Sequence, residues 1–363
     1  MKKILTLLLC MTLFLTACGG KEEPPVPEEP APPPAEDPVP ERAEVPEEPA
    51  PYVPAGTNPL TGEPMEPELE NLRPVAVMLN NLKAAMPQLG VSQADIIYEI
   101  PAEGQITRML AVFQSLEGVG NLGSIRSTRP YYLETALGHD ALLVHAGGSP
   151  DAYQDIPAWG VDNMDGVRGG SDAKIFWRDK ERRRSAGYEH SMLTSGENIQ
   201  SYLHEGHFPT EHREGYVYSQ TFAEDGTPAG GVTAETAKLY FTNYKTGTFT
   251  YDPETKCYLV GQYGGAYIDG NTGEQVGVTN VLVLETAISV ISGDTEGRLT
   301  VRTTGEGKGT FLCGGKAAPI LWSRADRNSP FVYTTEEGSP LVLGQGKSYV
   351  CIMSPKTSRL ELN

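Results

Sequence analysis

Hydrophobic and polar positions change pattern twice along the chain. After an apolar stretch at the extreme N-terminus and a long run with almost nothing to bury, short apolar segments begin at Arg73. Arg73 to Leu79 (RPVAVML) and Ala94 to Ile100 (ADIIYEI) have the length and β-branched content of strands, and the turn-like PAEGQ then leads into Ile106 to Phe113 (ITRMLAVF). The last two are predicted to form a hairpin. Pro130 opens YYLETALGH, a short helix with proline in its first turn, where a missing N–H costs nothing. Ala141 to Val144 reads as a buried strand ending in HAGGSP, with a second helix starting at Pro150. Thr194-Ser195-Gly196-Glu197 has capping-box spacing for a helix to about His204.

Beyond the glycine-rich AEDGTPAGGVTAE the helical periodicity disappears. Lys238 to Thr250, Lys256 to Val260, Val276 to Ile291, Arg298 to Thr304, Thr310 to Leu321 and Ser348 to Met353 are rich in Val, Tyr, Thr and Leu. Turns such as Asp269-Gly270 and Asn271-Thr272-Gly273 punctuate them. The second half is therefore expected to be β-rich, and no fixed repeat runs through it.

The N-terminus, MKKILTLLLCMTLFLTACGG, has a basic start, an apolar stretch too short to span a bilayer, and small residues: a secretory signal. Leu15-Thr16-Ala17-Cys18 resembles the lipobox of bacterial lipoproteins, which implies cleavage after residue 17 and acylation of Cys18, with palmitate-type chains as the membrane anchor. Residues 18–57 are Pro, Glu and Ala and cannot recover ordering entropy by packing, so they are expected to form a disordered, polyproline-like tether. Fully extended at about 3.1 Å per residue, it would reach on the order of 100 Å.

Charge narrows the partners. The net charge is −18, and the tether, with ten acidic residues against Lys21 and Arg42, carries −8 of it. The acidic remainder argues against nucleic acid or an anionic lipid face as the main partner. Cys257, Cys313 and Cys351, an odd and scattered trio among strand-like residues, read as buried free thiols rather than a disulfide scaffold.

Against that background GSIRSTRP stands out. If a strand precedes Arg126, then SIRSTRP and HAGGSP both join strand to helix, and parallel strands would bring both loops to one sheet edge, where ligands collect in open α/β sheets. Arg126 and Arg129 offer guanidinium forks for a carboxylate or phosphate, and Gly147 and Gly148 let the backbone approach closely. The alternative is ion pairing with Glu99, Glu103 or Glu134. Other constellations are weaker. His204-Glu205-Gly206-His207 is one residue short of zinc-protease spacing, so no metal is assigned to it or to His212. Arg182-Arg183-Arg184 reads as a solvated face or a polyanion track. Glu99 and Glu103 could act as acid and base on a glycan, and no Gly-x-Ser-x-Gly elbow surrounds Ser149.

These residues also carry a family resemblance. RPVAVMLNN, SQADIIYEIPAEGQITRMLAVFQS, GSIRSTRPYYLETA, HAGGSP and YEHSMLTS, with TNVLVLE, GEGKGTFLCGGKAAPILWSR and LGQGKSYVCIM further on, resemble the YerB-like bacterial lipoproteins, a two-domain family of unknown function. The resemblance implies a Gram-positive type of lipoprotein at the outer face of the cytoplasmic membrane. It also implies an α+β fold: a layered β-β-α sandwich-like N-terminal domain (58–225), then a β-rich C-terminal domain (226–363). Counterparts of Glu103, Arg108, Arg126, Arg129, His145, Gly147, Gly148 and His190 recur in the family pattern and make up the candidate ligand site; no cofactor is implied.

The expectation is a non-catalytic module that binds an anionic envelope component such as peptidoglycan or a wall polymer, with Arg126 and Arg129 on the anion and Arg108 and His145 flanking it. Two alternatives stay open. One is a glycan hydrolase or transferase using Glu103 with His145 or His190. The other is a scaffold whose C-terminal half docks an envelope protein.

Overall fold

Residues 56–363 are described by the structure, a computed structural model; the signal peptide, Cys18 and the tether up to residue 55 lie outside the described residues. In chain order the principal strands are β1 (Val75–Asn80), β2 (Ile96–Pro101), β3 (Thr107–Phe113), β4 (Leu142–His145), β5 (Asn163–Asp165), β6 (Thr236–Tyr240), β7 (Thr246–Asp252), β8 (Cys257–Gln262), β9 (Asn280–Glu285), β10 (Ile288–Val290), β11 (Leu299–Val301), β12 (Gly305–Cys313), β13 (Lys316–Arg324) and β14 (Ser348–Met353). The principal helices are α1 (Pro130–Gly138), α2 (Pro150–Trp159) and α3 (Gly196–His204). Strand dominates, helix is sparse, and no helix among the described residues is long and apolar enough to cross a membrane.

An 11-stranded sheet organises the molecule. From one edge it runs Val232–Thr233, β13, β12, β9, β14, β2, β3, β1, β4, β5, with Val332–Thr335 also paired to β13. The expected hairpin is present, β2 and β3 pairing from Ile96 with Val112 to Pro101 with Thr107. β14, from the far end of the sequence, lies parallel to β2 on one side and to β9 on the other. Segments on both sides of residue 225 therefore hydrogen-bond in one sheet. Every residue of β1, β2, β3 and β14 is buried, as their near-continuous apolar runs require of strands covered on both faces.

Alternate side chains of these strands enter two cores. Ala76, Met78, Tyr98, Leu110 and Val112 pack with Tyr131, Tyr132, Leu133 and Ala136 of α1 and Ala152 of α2. Val77, Ile97, Met109, Val281 and Tyr349 pack with Leu239, Phe249, Tyr258 and Val260 of a separate six-stranded sheet containing β6, β7 and β8. Ile199 and Tyr202 of α3 join this second core, together with Leu122 and Met192 of a three-stranded sheet made by 121–123, 192–195 and 177–178.

Local chemistry explains the helix ends. Ser149 Oγ accepts the Ala152 N–H at 3.2 Å, Pro150 takes the first helical position, and Gly160 closes α2 with φ +64°. At α3 the cap is Ser195, which accepts the Asn198 N–H at 3.1 Å; Thr194, one residue earlier, donates instead to Ile175 O. Two apolar runs are subdivided where reversals intervene: Lys238 to Thr250 forms the β6–β7 hairpin, and Val276 to Ile291 contains three short strands. Cys257, Cys313 and Cys351 are free, the last two buried.

Between the two sheets lies a buried ion pair. Lys245 Nζ sits 3.4 Å from Glu99 Oε1, each side chain about 1% exposed. Glu99 also accepts from Asn81 Nδ2 at 2.9 Å, Thr107 Oγ1 at 2.6 Å and Tyr349 OH at 2.5 Å. Lys245 donates to Gln262 Oε1 and lies 4.4 Å from the Tyr263 ring centre. Burial, opposed by Glu99, lowers the Lys245 pKa. Removing one member leaves the other charge desolvated, which costs about 3–5 kcal/mol. Lys245→Met is expected to lose that much in urea unfolding, and the Glu99→Gln/Lys245→Met double variant to lose less than the single one.

Candidate functional site

The two loops singled out from sequence do meet. Thr128 N donates to Gly147 O at 2.9 Å, Ser149 N to Thr128 O at 3.3 Å and Ala146 N to Arg126 O at 3.1 Å. They lie past the C-terminal ends of β1, β4 and β5, which run parallel to one another, the edge where open sheets bind ligands. The segment before Arg126 does not arrive as a neighbouring parallel strand. Asn121–Gly123 instead pairs antiparallel with 192–195 in the small sheet, and Ile125 bridges to Leu79 at the end of β1. Close approach of the loops explains Gly147: its φ is +88°, and a Cβ there would stand 3.0 Å from Ser127 Oγ.

Glu103 is the centre of the cluster. It lies in the β2–β3 turn and is clamped by two guanidinium groups. Arg129 grips it as a fork, Nε to Oε2 at 3.1 Å and a terminal nitrogen to Oε1, while Arg108 reaches Oε1 at 2.6 Å. Arg108 also donates to Ser127 O at 2.9 Å, and Arg129 to Thr128 O at 2.6 Å. Burial pushes the Glu103 pKa up, but Arg108 and the Arg129 hydrogen bond and charge outweigh it and hold the carboxyl below the ordinary glutamate value. Burial and the Arg129 charge lower the Arg108 pKa against the pull of Glu103.

Arg126 is held differently. Its two contacts to Glu189 are long, 3.2 Å to the carbonyl and 3.3 Å to Oε2, and Glu189 is 71% exposed. Arg178 has no ion-pair partner among the described residues: it donates to Tyr188 O at 2.6 Å and stacks 3.5 Å from that ring's centre. Stacking holds a guanidinium without neutralising it. A cavity of about 340 Å³ opens here, bordered by Arg108, Arg126, Arg129 and Arg178 against Glu103 and Glu189.

Other candidates lie around this cavity rather than on its wall. His145 is fully buried, Nδ1 against Gly147 O at 2.8 Å and Nε2 against Asn163 Oδ1 at 3.0 Å, so it braces the loop. Gly147 N donates to Asp165 Oδ1 at 2.8 Å and Gly148 bridges to Thr128. His190 Nδ1 accepts from Asn80 Nδ2 at 2.8 Å; burial and Arg126 lower its pKa against Glu189. Glu99 lies between the sheets, so it forms no acid–base pair with Glu103 at the edge. His207 contacts Glu205 and His212 contacts Asp140 and Tyr218, and no cluster fit for a metal ion occurs among the described residues. Within the basic triplet, Arg182 is spent on Ala85 O and Pro87 O and Arg184 on Glu181. Arg178, Tyr188 and Glu189 were not singled out from sequence, although the last two lie inside YEHSMLTS.

Fold and site together define a strand-rich protein of two sequence segments sharing one sheet, with an arginine-lined cleft at one of its edges. Two family models cover those segments: the protein of unknown function (DUF3048) N-terminal domain at residues 60–209 and the DUF3048 C-terminal domain at 237–350. A protein of Bacillus subtilis (strain 168) named "Putative lipoprotein YerB" is 30% identical over 297 residues, 81% of this chain and 85% of that one. The crystal structure of the YerB protein from Bacillus subtilis matches with a TM-score of 0.72 and 28% identity, covering 84% of this chain and 99% of that chain. The chain belongs to this YerB-like, DUF3048 family, whose function is unknown.

The lowered Glu103 pKa fixes the sign of one pH effect. Its contribution to stability is present above the ordinary value of 4.5 and is lost as pH falls through the lower folded value. Glu103→Gln is therefore expected to be less stable than the parent near neutral pH, with a difference that narrows in urea titrations below pH 4.5. A difference that stays constant with pH would show that the carboxylate charge does not hold the two arginines.

Proposed function

We propose that this chain is a lipoprotein, anchored at the outer face of the cytoplasmic membrane, whose arginine cleft binds a phosphate or carboxylate of an anionic envelope component. The observation that carries the reading is the division of labour among the arginines. Glu103 occupies Arg108 and Arg129, which makes them the rigid wall of the cleft. Arg126, paired at 3.3 Å with the exposed Glu189, and Arg178, with no ion-pair partner among the described residues, supply its excess positive charge. In a chain of net charge −18, a local excess of positive charge selects its ligand by contrast with the surrounding field. Guanidinium groups suit planar or tetrahedral oxyanions because they donate in pairs.

The same geometry disfavours the hydrolase reading. A general acid must hold a proton near its working pH, whereas Glu103 is held low and both its oxygens are taken by arginine. His145 is fully buried, and the Nδ1 of His190 is taken by the Asn80 amide.

Calorimetric titration of the full chain with glycerol phosphate tests the proposal. Each of Arg126→Ala and Arg178→Ala is expected to weaken binding about tenfold, the scale of one charged hydrogen bond. The affinity of the parent should also fall as salt is raised. Unchanged affinity in the folded double variant would overturn the assignment.

A further inference from the structure

A second cavity, about 330 Å³, adjoins the arginine cleft, and Glu103 borders both. Its character is different. Pro101 and Ala102 at the end of β2, Phe241 from the β6–β7 turn, and Ile288, Val290 and Leu299 of the β10–β11 hairpin form its apolar walls. The walls are fastened across the two halves of the chain, Thr242 Oγ1 donating to Gln105 O at 2.7 Å. The size and lining are those of a small-molecule site.

The hairpin explains why the groove stays open. Ile288 pairs with Val301, Ser289 with Thr300 and Val290 with Leu299, and side chains two apart along a strand share a face. Ile288, Val290, Leu299 and Val301 therefore make one apolar face. Its inner end is covered, Val301 being buried and Ile288 and Leu299 packed against the core. Its outer end is not: Val290, on the rim of the groove, is 60% exposed. A third cavity adjoins as well, sharing Arg129 with the cleft and Leu299 with the groove, so the Glu103–Arg129 pair stands where polar and apolar walls meet.

Building on the anion-binding reading, we propose that the groove holds the chain of an amphiphile whose headgroup sits in the arginine cleft: a single-chain lipid phosphate. Charge complementarity supplies the head, and the apolar groove that shares Glu103 with the cleft supplies room for the tail. A ligand with only the anion would leave the groove empty, and one with only the chain would leave Arg126 and Arg178 unmatched.

The test compares dodecyl phosphate below its micelle concentration, inorganic phosphate and the uncharged dodecyl maltoside by calorimetry on the full chain. Dodecyl phosphate is expected to bind at least tenfold more tightly than inorganic phosphate, and dodecyl maltoside more weakly than dodecyl phosphate. Val290→Asp should remove the gain due to the chain while leaving inorganic phosphate binding unchanged. The milder Val290→Thr, whose shape is preserved, should remove part of it at an unaltered melting temperature. Equal affinities for dodecyl and inorganic phosphate, or a gain indifferent to both Val290 variants, would overturn the groove assignment and leave the anion site standing. Dodecyl phosphate binding that survives Arg126→Ala/Arg178→Ala would instead sink the anion reading beneath it.

Discussion

The parallel pairing of β14 with β2 is the constraint on which the rest of the molecule depends. It places Cys351 opposite Glu99 and Tyr349 opposite Ile97, joining strands some 250 residues apart in sequence into the interior of one sheet. The pairing also carries a carboxylate into the space between the two sheets. A buried carboxylate is tolerated only when charge and hydrogen bonds meet it. Lys245 from the β6–β7 turn, Tyr349 from β14, Asn81 and Thr107 do so together. Sheet pairing and interior electrostatics thus enforce the same register, and a shift of one residue would turn Glu99 toward α1.

With the sheet in place, the ends of β1, β2, β3 and β4 deliver the cleft. Glu103 rides the β2–β3 turn, Arg108 is the second residue of β3, and the Arg126–Arg129 loop leans on the His145–Ser149 loop through backbone hydrogen bonds. Their rigidity comes from bonds with no freedom to spare: Glu103 gripped by two arginines, Gly147 tied to Asp165, His145 engaged at both nitrogens. The other two cations are held more lightly, one against an exposed glutamate and one on a tyrosine face. The β10–β11 hairpin, contributed by the second half of the chain, lines the adjoining groove with apolar side chains.

What the sequence discloses of this arrangement follows distance along the chain. The β2–β3 hairpin, the prolines at the starts of α1 and α2 and the free cysteines are local or compositional facts, and each was legible. So was the meeting of the two loops, although for a partly mistaken reason: the strand before Arg126 belongs to another sheet, and the loop reaches the edge by bridging to Leu79. The choice of partner for Arg129 was not legible, because Glu99, Glu103 and Glu134 are all plausible until the β2–β3 turn puts one of them under the guanidinium. Arg178 carries no signal in the sequence because its defining neighbour is an aromatic ring ten residues away across a short helix. The glycines of Gly305–Gly309 concealed the first half of β12, since strand preference reads side chains and the pairing there is made by backbone against Ile320–Arg324.

In the proposed mode of binding, Arg126 and Arg178 receive an anion while Arg108 and Arg129 remain committed to Glu103. Arginine-selective NMR of the Nε–Hε groups, followed during addition of inorganic phosphate, tests it most directly. The signals of Arg126 and Arg178 are expected to shift progressively and saturate while those of Arg108 and Arg129 stay in place. Saturating shifts at Arg108 and Arg129, or none at any of the four, would contradict it.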